Sequence, residues 1–286
     1  MHKPAHARFP DGRLHLQHGP IDCVIEAWGA AKEVETAYAQ ALERFEDLLP
    51  VLAGELDILR ARIGEPFPHV RGPVARRMVN AVWPHRETFI TPMAAVAGAV
   101  ADELLAALVA GRTLQKAYVN DGGDIALHLE GLAEFDIGIA DDPGRPSLAG
   151  ALRIGPADRV RGIATSGWRG RSQSLGIADA VTVLAPTAAE ADAAATLIAN
   201  AVNVDHRAIR RRPARTVKED SDLGDLLVTV EVGTLPPNAI EEALDAGAAM
   251  ASALRMRGLI EGAFLSLDKN WRTVHPFATL GMSTQC

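Results

Sequence analysis

The feature that most constrains this chain is a change of texture just past Gly111. Upstream of it, apolar residues fall at helical spacing. Val34, Ala37, Tyr38, Ala41, Leu42, Phe45, Leu48 and Leu49 predict a helix over 30–49, with Pro50 as its stop. Leu52, Leu56 and Leu59 predict another helical stretch, and helical segments over 74–82 and 92–110 flank a turn at Pro84. Downstream, short and partly alternating runs occupy 116–119, 125–129, 135–139, 151–154 and 160–164. Gly, Asp and Pro separate them, which predicts an antiparallel meander, and 180–184 adds a strand. Ahead of the helices, 13–29 alternates around Gly19 and Pro20 as a strand pair.

Two later helices carry start signals. Thr187 with Glu190 forms a capping box after Pro186 and opens a helix running to about Val202. Asn238 with Glu241 forms a second such box after two prolines, and Gly258 closes that helix between strands at 227–232 and 263–267. Strands in runs and helices in pairs, without regular βαβ alternation, predict an α+β fold, a mostly antiparallel sheet with helices packed on it. No linker composition divides the chain, so residues 1–286 are read as a single domain.

Composition narrows the function. A net charge of −7 argues against nucleic acid as the partner, because phosphate backbones are bound by clustered Lys and Arg. The one basic run, Arg207, Arg210, Arg211, Arg212 and Arg215 broken by Pro213, is read as a solvated connection after a helix. Cys23 and Cys286 supply neither a disulfide framework nor a cysteine zinc site, which suits a reducing compartment. The first ten residues hold no apolar core of a secretory signal, and a cytoplasmic location is expected. The apolar stretch 91–108 contains Asp102 and Glu103, and a buried helix accounts for it better than a membrane span. His15 and His18, three apart on a strand, should point to opposite faces, and no histidine cluster has metal-ligand spacing.

Three constellations can carry chemistry. Tyr118 to Ile125 runs a strand into a turn holding Asn120, Asp121, Gly122, Gly123 and Asp124. Paired glycines let a ligand approach the main chain, although the same residues also make an ordinary hairpin. Gly162 to Ser172 ends a strand in Thr165, Ser166 and Gly167 followed by Trp168, Arg169 and Arg171. This composition suits a phosphate or carboxylate, or equally a plain polar loop. On the capped helix, Asp192, Thr196, Asn200 and Asn203 form one polar stripe, either the wet side of an amphipathic helix or a carboxylate and hydroxyl converging on a hard cation.

Taken in order, these segments resemble the ApbE-like superfamily, whose well-known members are FAD:protein FMN transferases with a T-fold-related α+β fold. Residues 91–102 (TPMAAVAGAVAD) look like the family's flavin-contacting helix, and 119–125 like its N-x-G-G-[ND]-I turn. Residues 135–143 (FDIGIADDP) look like its W-x-I-G-I-x-x-P strand, and Thr165-Ser166-Gly167 like its T-S-G. The run from Ala191 to Thr196 is similar to its A-D-A-x-x-T. The family's H-I-x-D-P-x-T-G segment is replaced by 172–183, which lacks His, Pro and Thr-Gly, and its helix lysine corresponds to Ala97. That version resembles the cytoplasmic branch of the superfamily.

The resemblance implies FAD or FMN as cofactor or ligand and magnesium held by Asp192 and Thr196. Asn120, Gly122, Gly123, Asp124, Thr165, Ser166 and Gly167 would line the flavin or its phosphate. Asp124, Asp179 and Arg171 are the candidates for catalysis, as acid, base and anion clamp. The expected function is an enzyme acting on a flavin, nucleotide or similar small anionic ligand with a divalent cation, as transferase or phosphoanhydride-cleaving enzyme. The residues that define FMN transfer itself are replaced. The alternatives are a hydrolase opening a small heterocycle or amide, with Arg169 or Arg171 holding a carboxylate and Asp179 assisting water, and a non-catalytic ligand-binding protein. A small molecule is the expected partner, with no nucleic acid and no membrane; a homo-oligomer is compatible with the chain.

Overall fold

The computed structural model describes residues 3–140, 148–170 and 172–274. In chain order the first strands are β1 (Ala5–Arg8), β2 (Leu14–His18) and β3 (Ile21–Gly29). Helices α1 (Ala31–Phe45), α2 (Leu48–Ala53), α3 (Leu56–Leu59), α4 (Pro73–Val82) and α5 (Val96–Val109) follow. Strands β4 (Leu114–Asp121), β5 (Asp124–Leu129), β6 (Phe135–Ala140), β7 (Leu148–Ile154), β8 (Gly162–Ser166) and β9 (Ala180–Ala185) lead to α6 (Ala188–Ala201). The chain closes with β10 (Ile209–Pro213), α7 (Ala214–Val217), β11 (Leu227–Val232), α8 (Pro237–Met256), β12 (Gly262–Leu267) and β13 (Asn270–Val274). The chain is α+β, and the strand pairs β1 with β2, β2 with β3, β3 with β4, β4 with β5 and β5 with β8 are all antiparallel.

Backbone contacts divide the chain into two compact units. The first runs to Glu134 and takes in Gly155–Ala164 and Ala185–Ala193; the second holds Phe135–Ile154, Thr165–Leu184 and the chain from Ala194 on. In the first unit, β3 alternates strictly, with Ile21, Cys23, Ile25 and Ala27 buried on one face, as period-two patterning requires of a sheet covered on one side. Against this sheet lies α5, which packs on β4, β5, α1 and α4. Leu104 and Leu108 are fully buried there, each worth roughly 2 kcal/mol by its removal from water. The segment Pro92–Val109 is long and apolar enough to cross a membrane by length and composition. Its charges are nonetheless accommodated inside the unit, where Glu103 accepts bonds from Arg44 at 2.9 Å and Arg77 at 3.0 Å.

In the second unit, β12 lies between β9 and β13, antiparallel to both, with every residue buried. Helix α8 covers β12 and β13 through positions that include Ala243, Leu244, Ala251 and Leu254. Two further hairpins, β6 with β7 and β10 with β11, complete the unit.

Several expectations need correction. The meander is interrupted: β5 pairs with β8, and β6 and β7 form a separate pair. Pro50 does not end a helix. The helix stops at Phe45 and Pro50 sits in the first turn of α2, where its missing N–H costs nothing. The Asn238 box is absent as well, because α8 starts at Pro237, whose fixed φ opens the helix one residue earlier, with no side-chain cap. The basic run is not a loop: Ile209–Pro213 is a strand, and Arg210 pairs with Glu231 and Arg215 with Asp225. Strand β1 carries no alternation, all four residues being exposed, and was not anticipated. His15 and His18 do lie on opposite faces, the second of them buried.

Candidate functional site

Within the first unit, the turn between β4 and β5 is a two-residue hairpin in which Asp121 stands opposite Asp124. Gly122 and Gly123 have φ of 66° and 116°, conformations that side-chain-bearing residues rarely adopt, so the double glycine is a backbone requirement. Asn120 Oδ1 accepts the Gly123 N–H at 2.8 Å, bracing the turn, and the space over Gly123 is open. Asp121 and Asp124 are both buried, and Asp121 Oδ1 accepts the Asp22 N–H at 3.2 Å.

The start of α6 is locked into α5 in the same unit. Thr187 Oγ1 accepts the Glu190 N–H at 3.2 Å and donates to Glu190 Oε2 at 3.0 Å, so the threonine half of the predicted capping box is present, with Glu190 returning to the hydroxyl. Asp102 on α5 accepts the N–H groups of Ala188 at 3.1 Å and Ala189 at 2.9 Å, while Asp192 on α6 accepts the Gly98 N–H at 3.1 Å. The Ala97 amide also bonds Asp192. Each helix therefore places a carboxylate on the other's N-terminus, where exposed N–H groups and the helix dipole favour negative charge. The helices touch backbone to backbone: a Cβ on Gly98 would overlap the Ala188 carbonyl, and one on Gly162 would overlap Thr187.

Electrostatics sets Asp192 apart. Burial pushes its carboxyl up to about 7 against the opposing pull of the Gly98 and Ala97 amides, and the charges of Asp121 and Asp102 raise it further. Asp102 is likewise raised, chiefly by desolvation, with the Ala189 and Ala188 amides opposing. Thr196 lies one turn beyond Asp192 on α6 and is half-buried.

The second unit holds the other candidates. Thr165 Oγ1 and Thr182 Oγ1 lie 2.9 Å apart, Ser166 is half-buried, and Gly167 sits where a Cβ would overlap the Asp179 carbonyl. Asp179 is buried. Its Oδ1 accepts from Trp168 Nε1 at 3.2 Å and Arg169 Nε at 2.8 Å, and its Oδ2 accepts from the Asp268 N–H at 2.7 Å. Asn200 Oδ1 accepts from the Leu175 N–H and Ser174 Oγ, and Asn203 donates to Leu175 O, so two members of the polar stripe hold the chain ahead of Asp179. Arg171 lies outside the described residues.

Thus the structure gathers Asn120, Gly122, Gly123, Asp124 and Asp192 in one unit and Thr165, Ser166, Gly167, Asp179 and Thr196 in the other. Sequence reasoning missed Asp121 and Asp102 as partners of Asp192. Asp121 lies inside the quoted turn and was open to being singled out; Asp102 acts across 86 positions of sequence, which no local pattern signals.

The antiparallel sheet and the helices packed on it define the class, an α+β protein. A family model described as AbpE bacteria matches residues 6–273. The chain belongs to that family. It is 37% identical over 139 residues to a UPF0280 protein of Archaeoglobus fulgidus, covering 48% of this chain and 54% of the relative. A UPF0280 protein of Methanothermobacter thermautotrophicus is 37% identical over 49% of this chain and 52% of its own length. The chain thus spans about half the length of these two relatives. A third, from Methanoculleus marisnigri, is 34% identical over 65% of this chain and 79% of its own. Among solved structures, a variant of the flavin transferase ApbE from Vibrio cholerae is similar at TM-score 0.47 and 14% identity, covering 96% of this chain and 97% of that one. The apo flavinyl transferase ApbE of Pseudomonas stutzeri is similar at 0.45 and 13%, covering 95% and 93%.

Proposed function

We propose that this chain is an ApbE-like enzyme that takes a flavin nucleotide, FAD or FMN, or a similar small anionic ligand together with a divalent cation of the magnesium type. The observation that carries the reading is the placement of Asp192, held by the Gly98 amide at 3.1 Å where α6 meets α5, with burial raising its carboxyl and Asp121 and Asp102 acting on it as like charges. A divalent cation would reverse that electrostatic disadvantage.

The residues fit such an ion. Magnesium is commonly held by one or two carboxylates and completes its shell with water and ligand phosphate. Among the described residues no group of three His, Cys, Asp or Glu could hold a metal alone, so an ion here would take the rest of its shell from water and the ligand. Asp192, with Thr196 beside it, would hold the ion, and the ion would neutralise charge on a phosphate. Asn120 and the Gly122–Gly123 backbone would line the ligand, with Asp124 as the proton-handling group.

The hydrolase alternative draws less support, because the Asp179 carboxylate is engaged by three donors, an arrangement that favours holding a loop over activating water. Incubation with FAD and Mg2+, followed by chromatography, tests the enzymatic reading. The expected result is FMN release or flavin transfer that disappears in Asp192→Ala. Tight FAD binding without turnover under any divalent metal would leave a carrier in place of an enzyme.

A further inference from the structure

We propose that Asp102 is a positioning residue for the cation site: by gripping the first amides of α6 it sets Asp192 where a metal would be met. The inference rests on the reading of Asp192 as a cation ligand, and its argument is geometric.

Gly98 and Asp102 lie four apart on α5, so they share one face; Ala188 and Asp192 do the same on α6. The two faces meet in opposite order, with Asp102 against Ala188 and Ala189, and Gly98 against Asp192. Two carboxylate grips, one in each direction, fix both the sliding and the rotation of α6 on α5. The backbone contact between Gly98 and Ala188 leaves no slack between them, and Gly162 closes on Thr187 and Ala188 from β8. Asp192 begins the next turn after the gripped amides, so a rotation of the helix end moves its carboxylate bodily.

Asp102 does not need to touch a metal to matter. Both its oxygens are spent on Ala188 and Ala189, and what it supplies is the position of the group that does. Partners that orient a ligating group typically change metal affinity by 10–100-fold when removed.

The test uses the full chain in the presence of FAD, with Mn2+ as the probe, titrated by electron paramagnetic resonance into wild type, Asp102→Asn and Thr187→Ala. Asp102→Asn keeps the shape but replaces one acceptor oxygen by a donor facing an N–H. Thr187→Ala loosens the same helix end without disturbing the Asp102 contacts. Asp102→Asn is expected to weaken Mn2+ at least about tenfold, and Thr187→Ala to leave it within about twofold. Equal affinity for Asp102→Asn and wild type overturns the inference while the cation site stands, and equal losses in both variants overturn it in favour of general fraying of α6.

A metal-independent readout separates the two claims. Amide hydrogen exchange at Ala97 and Gly98, which bond Asp192, should accelerate about tenfold in Asp102→Asn, whereas amides of β3 and β4 keep their rates. Unchanged exchange at Gly98 overturns the positioning role whatever the metal does. Absence of Mn2+ binding in wild type with accelerated exchange in the variant overturns the cation reading, and with it the part of the proposal that concerns metal.

Discussion

Two aspartates, one in each unit, solve the same problem differently. Asp179 sits on the Asp268 amide, an indole N–H and the guanidinium of Arg169, so its charge is answered by the loop ahead of it and by the turn between β12 and β13. Asp192 also takes backbone amides, yet burial and, after it, the charges of Asp121 and Asp102 push its carboxyl up to about 7. A carboxylate satisfied by a cation is a structural fastening; one held among like charges is a place where an outside cation gains. The contrast separates the candidate ligand group from the fastener, a distinction that residue type alone cannot make.

The comparison can be broken in three ways. The largest effect is expected where the Asp192 helix is pinned. Gly162→Ala drives a Cβ into the backbone of Thr187 and should cost about 3 kcal/mol or more, read as a shift in urea midpoint. A loss under about 1 kcal/mol would show that α6 can shift on the sheet, and the clasp would then not be rigid.

The second concerns the fastener. Asp179→Ala removes the acceptor of three bonds and should destabilise the chain by about 2 kcal/mol, while any Mg2+-dependent rise in melting temperature persists. Asp192→Ala should lose the Mg2+ response. An Asp179 variant that folds normally but no longer responds to Mg2+ would move the site to the second unit.

The third concerns the pH dependence. Asp192 titrates at about 7 in the fold and near the ordinary carboxylate value of about 3.9 when unfolded. Between those values the folded state holds more of the proton. Its contribution to stability is therefore full at the acid end and is lost as pH rises through about 7. Urea unfolding of Asp192→Asn and wild type across that range should show the variant gaining on wild type as pH increases. A constant difference would mean that Asp192 is ionised throughout.

Much of this architecture was readable beforehand, and the parts that were not share a cause. The Thr187–Glu190 box and the Asp121–Asp124 hairpin are specified by neighbours in sequence, so local chemistry reveals them. Strand β1 has no buried side, and β10 is built from Ile209, three arginines and Pro213, so neither shows the alternation by which strands are recognised. At Asn238 two start signals competed, and proline backbone geometry prevailed over a side-chain cap. At the site, Asp192 was visible through its helix stripe, whereas its burial and the charges of Asp121 and Asp102 that raise its carboxyl come from elements distant in sequence. Position in a pattern identifies the residue, and only the tertiary field identifies its state.

Isothermal titration of FAD into the protein, with Mg2+ and then with the metal chelated, tests the central claim most directly. Binding that requires the metal and vanishes in Asp192→Ala, but survives in Asp179→Ala, is the predicted result. FAD affinity indifferent to chelation and to Asp192→Ala, or no binding by wild type with any divalent cation, would contradict it.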